Sequence, residues 1–163
     1  MAIDPLTQLL ARESVLERLQ EKVDNSKRNK MPFSLLYLSL TDFKNKHHLA
    51  EYEMDTTLFK VVETLKQDIR TGLDIAARVG EEDFVLALPG ISRERAEIIA
   101  ERIKRNIFVN VTTPRKDAVD IAVGFVEYTD HTDVIAEEVE MGMGEVEALL
   151  SIAIGKCLES TMS

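Results

Sequence analysis

Residues 74–90, DIAARVGEEDFVLALPG, read as a β-hairpin. Two short apolar strands, near Asp74–Arg78 and Phe84–Leu88, flank a tight turn at Gly80-Glu81-Glu82-Asp83, and Pro89-Gly90 ends the second strand. Upstream, Phe33–Leu40 (FSLLYLSL) is an almost continuous apolar run of strand length. Such a run suits a central strand buried on both faces.

Helical patterns separate these strands. From Glu51 to Arg70, Leu58, Val61, Val62, Leu65 and Ile69 recur at helical spacing, and from Arg93 to Ile107 so do Ala96, Ile99, Ala100, Ile103 and Ile107. Val119, Ile121, Val123 and Phe125 alternate with other residues, which predicts another strand. At the N-terminal side, Asp4-Pro5-Leu6-Thr7 predicts a helical turn with Asp4 as N-cap and Pro5 in the first helical position. A helix over Glu13–Asn29 follows, and a closing helix is expected over Glu145–Leu158. The order α-α-β-α-β-β-α-β-α predicts an α+β fold. It suits a two-layer ferredoxin-like or nucleotidyl-cyclase palm, with a central, mostly antiparallel sheet flanked by helices.

The chain has 163 residues, which predicts one domain on a prior of roughly 150 residues per domain. With 45% hydrophobic and 30% charged residues it has an ordinary globular composition, which excludes a wholly disordered chain. A single cysteine, Cys157, excludes an internal disulfide framework and a Cys-based zinc site, and fits a reducing compartment. No apolar run approaches a membrane span, and the start of the chain has no export-signal pattern, so direct membrane insertion is not expected and a cytoplasmic location is. The net charge of −9 argues against duplex DNA, other nucleic acid polymers and anionic lipid as partners.

The hairpin turn is where chemistry is expected. Glu81, Glu82 and Asp83 between two apolar strands could hold Mg²⁺ through oxygen ligands, or could form a solvated acidic turn. Here a resemblance enters. Arg78-Val79-Gly80-Glu81-Glu82-Asp83-Phe84 resembles the R-Y-G-G-D/E-E-F signature of the GGDEF family of diguanylate cyclases, which condense two GTP molecules into cyclic di-GMP. Asp4-Pro5-Leu6-Thr7 with Leu9 and Arg12 is similar to the family opening, and LYLSLTDFK at 36–44 to its D-x-D-x-F-K turn. Asp55 with Leu58, Val62 and Leu65, Ala100-Glu101-Arg102-Ile103, and Ile121-Ala122-Val123-Gly124 resemble later motifs in the right order. The resemblance covers essentially the whole chain.

The departures from the pattern bear on activity. The metal-binding Asp of the first strand falls on Ser39 and the second Asp on Thr41; a hydroxyl carries no formal charge toward Mg²⁺. Glu82 keeps the acidic metal position, Asp83 replaces the following Glu, and Glu81 replaces a glycine, bringing negative charge toward a polyanion. The base-reading Asn falls on His47, its acidic companion on Asp55, and a phosphate Lys on Leu158; Lys44 is kept. The resemblance thus implies a catalytically inactive domain with vestigial Ser39, Thr41, Lys44, Glu81, Glu82 and Asp83 and a vestigial guanine site at His47 and Asp55. It requires no cofactor. The alternative is an active cyclase that uses Mg²⁺ and GTP or a different base.

Family members often carry an inhibitory R-x-x-D site for cyclic di-GMP before the hairpin turn. Asp74 matches its Asp, Thr71 stands at the Arg position, Arg70 lies one residue earlier, and Arg102 matches an auxiliary arginine. Arg70, Asp74, Arg78 and Arg102 are therefore the candidate cyclic di-GMP site, since guanidinium groups suit guanine edges and phosphates. The bland alternatives are an Asp74–Arg70 pair, an Arg102 pair with Glu97 or Glu101, and an Arg78 contact with the turn carboxylates. Adjacent His47-His48 is a weak candidate for a metal. His131 reads as solvated, and Met141 with Met143 as a loop or an adaptable protein-binding surface. The expected whole is a single GGDEF-like domain, 1–163, cut from a longer multidomain signalling protein, with cyclic di-GMP and a protein as partners. The third reading is a nucleotide-independent interaction domain.

Overall fold

The computed structural model describes residues 2–40, 43–128 and 144–161. Its elements are β1 (Leu10–Ala11), α1 (Arg12–Asn29), β2 (Phe33–Ser39), α2 (Phe43–Lys46), α3 (Glu51–Lys66), β3 (Ile75–Arg78), β4 (Asp83–Pro89), α4 (Arg93–Asn110), β5 (Ala122–Tyr128) and α5 (Glu145–Thr161). Thr41, His131, Met141 and Met143 lie outside the described residues.

The strands form one sheet in the order β1-β3-β4-β2-β5, with β1 parallel to β3 and every other pairing antiparallel. The β2-α3-β3-β4-α4-β5 portion is a ferredoxin-like unit, because its four strands lie in the spatial order fourth, first, third, second. Strand β2 is an interior strand, between β4 and β5, and is buried on both faces, as its unbroken apolar run requires. Leu36 and Leu38 pack toward α3 and α4 with Phe84, Leu86 and Ile103, while Phe33 and Leu35 pack toward α1 and α5 with Leu19, Val85 and Ala153. The two expected layers are thus the sheet plus α3 and α4; α1 and α5 add a third on the opposite face.

Three local readings change, and a short helix is added. Residues 4–7 form a turn, not a helix. Asp4 caps it by accepting from the Thr7 N–H (2.9 Å) and hydroxyl (2.7 Å), but Gln8 takes a left-handed φ of 62° and the chain enters β1. Helix α3 stops at Lys66 rather than Arg70, because residues 67–74 close successive turns through Gly72 at φ 82°. Residues 119 and 121 are buried but precede β5, which begins at Ala122. The short α2 has too few residues to show a period.

Candidate functional site

The hairpin and strand β2 bring one group of predicted residues together. The register pairs Ser39, at the end of β2, with Asp83, at the start of β4. Ser39 Oγ donates to Asp83 Oδ1 at 2.6 Å, and the Tyr37 hydroxyl donates to Oδ2 at 2.7 Å. Glu82 Oε2 accepts from the Phe43 N–H at 3.4 Å, and the Glu82 carbonyl from the Leu40 N–H at 3.0 Å, which ties the turn to the chain leaving β2. Beside this turn lies a cleft of about 460 Å³, walled by Tyr37, Ser39 and the three turn carboxylates on one side and by α5 on the other. The α5 wall is apolar: Ile154, Cys157 and Leu158. Burial, the Asp83 hydrogen bond and the Asp83 charge all push the Tyr37 hydroxyl pKa upward, so it stays a donor. Burial, then Asp83, pushes the Cys157 thiol up to about 11, which leaves it protonated.

The predicted guanine pair is not joined. His47 stacks on Phe43 with ring centroids 4.5 Å apart, and its Nδ1 lies 3.5 Å from Asp117 Oδ2. Asp55 is half-buried on α3 and shares no hydrogen bond or ion pair with His47 among the described residues. Lys44 sits half-buried on α2, outside the lining of the cleft.

A second cleft, of about 180 Å³, lies between α4 and the turns that precede β3. It unites Arg70, Asp74 and Arg102, three of the four residues predicted for a cyclic di-GMP site, over an apolar floor of Leu88, Ile91 and Ile99. The Arg70 guanidinium grips Asp74 in a bidentate pair, with its shortest contact at 2.6 Å, and also donates to the Pro89 carbonyl at 2.7 Å. Arg102 Nε donates at 2.6 Å to Asp68, not to Glu97 or Glu101. Two residues that the sequence reading did not single out line the cleft as well, Asp68 and Arg95. Arg95 carries a legible signal, since it lies two helical turns before Arg102 and so shares its face of α4. Asp68 follows the end of a helix, where a carboxylate is usually unfavourable, and nothing in its sequence neighbours marks it.

Arg78 lies apart from this cleft. It is at the other end of β3 from Asp74, roughly 13 Å along the strand. There it pairs with Asp4 at 3.3 Å and donates to the Glu81 carbonyl at 2.8 Å, holding the N-terminal turn against the hairpin. Among the described residues no group of three His, Cys, Asp or Glu side chains is placed to hold a metal ion, the His47-His48 pair included. No helix among them is long and apolar enough to cross a membrane.

A family model described as "Diguanylate cyclase, GGDEF domain" matches residues 1–146. The chain is 33% identical over 105 residues to the uncharacterized protein YhcK of Bacillus subtilis (strain 168), covering 62% of this chain and 29% of that protein. It is 31% identical over 105 residues to the probable diguanylate cyclase DgcT of Escherichia coli (strain K12), covering 64% of this chain and 23% of that protein. The chain therefore spans less than a third of the length of these curated relatives. The GGDEF domain of DgcB from Caulobacter crescentus, solved in complex with cyclic di-GMP, superposes with a TM-score of 0.81 at 17% identity, covering 98% of this chain and 90% of that one. That likeness is one of fold.

Proposed function

The chain belongs to the GGDEF family of diguanylate cyclases, and from that membership we propose that it is a catalytically inactive domain serving as a regulatory module in cyclic di-GMP signalling. It binds the dinucleotide in the cleft of Arg70, Arg95 and Arg102 and reports to a protein partner. The observation that carries this reading is the 2.6 Å hydrogen bond from Ser39 to Asp83. The family resemblance implies a carboxylate at the end of the first strand and another on the hairpin turn, here Glu82, facing a divalent cation. Here β2 offers a hydroxyl that donates to Asp83, Tyr37 donates to its other oxygen, and Glu82 accepts a backbone N–H. A hard cation would have to displace those donors, so this donor set fits Mg²⁺ poorly. The exposed Leu158 on the opposite wall adds apolar surface where a triphosphate would need positive charge.

The arginine cleft supports the binding half of the proposal. Three guanidinium groups around a small apolar floor suit a base edge with phosphates outside. As part of this proposal, the domain works inside a longer cytoplasmic signalling protein, for which the length of its relatives is the support. The test is incubation with GTP and Mg²⁺ or Mn²⁺ followed by chromatography, with calorimetric titration against cyclic di-GMP. The expected result is no turnover, and micromolar binding lost in Arg102→Ala. Turnover abolished by Glu82→Gln would overturn inactivity.

A nucleotide-independent interaction domain is the second reading. The exposed Ile154 and Leu158 beside the acidic turn favour it. Protein partners retained by Arg102→Ala in a domain that gives no heat with cyclic di-GMP would establish it.

A further inference from the structure

We propose that Asp68, and not Asp74, is the carboxylate that reads the donor edge of guanine in the arginine cleft, with Arg95 taking the phosphate. This rests on the cyclic di-GMP reading above and assigns the roles within it.

Asp74 is already saturated. Its Oδ1 accepts from Arg70 Nε (3.0 Å) and Nη2 (2.6 Å), and its Oδ2 accepts from the Arg70 backbone N–H (2.7 Å) and from Nε (3.2 Å). A carboxylate has about four lone-pair sites, so these contacts fill it. Its side chain is 1% exposed. A guanine edge would have to evict Arg70, which is anchored a second time on the Pro89 carbonyl. The same residue pair that satisfies Asp74 locks the turn before β3 and removes Asp74 from recognition.

Asp68, by contrast, is satisfied through one oxygen only. It lines the same cleft, its side chain is 7% exposed, and its Oδ1 accepts from Arg102 Nε. Its Oδ2 is fully buried and has no hydrogen-bond partner. A buried carboxylate oxygen left unsatisfied is costly, and such a site gains when a ligand brings donors to it. Guanine presents two adjacent donors, N1–H and the 2-amino group, which match one carboxylate. Adenine has no donor at N1. Binding requires the half-exposed Arg102 side chain to swing aside from Asp68 and remain as a stacking or phosphate contact. Arg95, exposed on the same face of α4, makes no ion pair among the described residues and is available for a phosphate oxygen. Ile98 stands exposed between the two arginines and offers the base an apolar face.

The experiment is calorimetric titration of the chain, and of Asp68→Asn, Asp74→Asn and Arg95→Gln, with cyclic di-GMP and cyclic di-AMP, with Tm measured on each variant. The wild type is expected to prefer cyclic di-GMP by at least tenfold. Asp68→Asn is expected to lose at least tenfold in affinity for it and to erase the preference, with a Tm no lower than that of the wild type. Arg95→Gln is expected to weaken both dinucleotides by the same factor, about three- to tenfold. Wild-type affinity retained in Asp68→Asn, with binding lost in Asp74→Asn, overturns the assignment while leaving the receptor reading intact. Absence of binding by the wild type overturns both.

Discussion

Ser39 and Asp83 face each other across the β2–β4 ladder, and a hydrogen bond joins them where the resemblance implies a carboxylate on β2 beside the hairpin acid Glu82. Restoring the carboxylate gives a direct test. Ser39→Asp places a second negative charge against Asp83 and is expected to cost about 1–3 kcal/mol in metal-free buffer. Millimolar Mn²⁺ should recover that loss in the variant and leave the wild-type Tm unmoved, as scanning calorimetry would read. An equal cation response in the wild type would show that the hydroxyl already serves the ion. Asp4 supplies a pH prediction at the same scale. Burial raises its pKa, but the Thr7 hydrogen bonds and the Arg78 guanidinium outweigh burial and hold the carboxyl below its ordinary value of 3.8. A depressed native pKa contributes stability above the unfolded value and loses it as pH falls through the native value. Asp4→Asn is therefore expected to lower stability by about 1–2 kcal/mol near neutral pH. The gap from the wild type should close below about pH 4 in a Tm-versus-pH series.

At the scale of elements, the seat of α5 on β5 governs the shape of the first cleft. Gly124, in the middle of β5, pairs with Tyr37 on β2, and a Cβ there would lie 2.2 Å from Cys157 N and 2.3 Å from Ala153 O. Both atoms are helix backbone, so α5 would have to move bodily. Gly124→Ala is expected to destabilise by about 3 kcal/mol or more in urea titration, near the upper end for overpacking. The hairpin, strand β2 and helices α1, α3 and α4 were legible because their apolar periods are long or their turn residues distinctive. Strand β1 and helix α2 were not, since two and four residues carry no period. The Asp4-Pro5 pattern predicts a helix start, and its capping chemistry is present. The left-handed Gln8 and the Arg78 contact turn it into a closed loop instead.

Across the molecule, one sheet serves two cores. Leu35 and Leu36 are neighbours on β2 and are both fully buried, but Leu35 belongs to the α1/α5 side and Leu36 to the α3/α4 side. Because both layers pack on the same strands, neither core can open without exposing the sheet between them. Leu35→Ala and Leu36→Ala are each expected to cost about 2–5 kcal/mol. Each should also shift a single transition, with far-UV circular dichroism and hydrogen exchange on both helix layers moving together. A separate early transition in one layer would show that the cores unfold independently.

The sequence by itself determined the order of the longer strands and helices and the family, and it set uncharged side chains at Ser39 and Leu158 where the resemblance implies charge, because residue types and their spacing carry these directly. It also placed Arg70, Asp74 and Arg102 as candidates, although it grouped Arg78 with them. Only the tertiary structure decided which partners each charge takes. Arg70 fills Asp74, Arg102 reaches 34 residues back to Asp68, and Arg78 turns to Asp4. Ion pairs between groups distant in the chain follow from how helices and strands are stacked. No local pattern encodes which of several nearby carboxylates a guanidinium will meet, or which carboxylate oxygen is left without a donor.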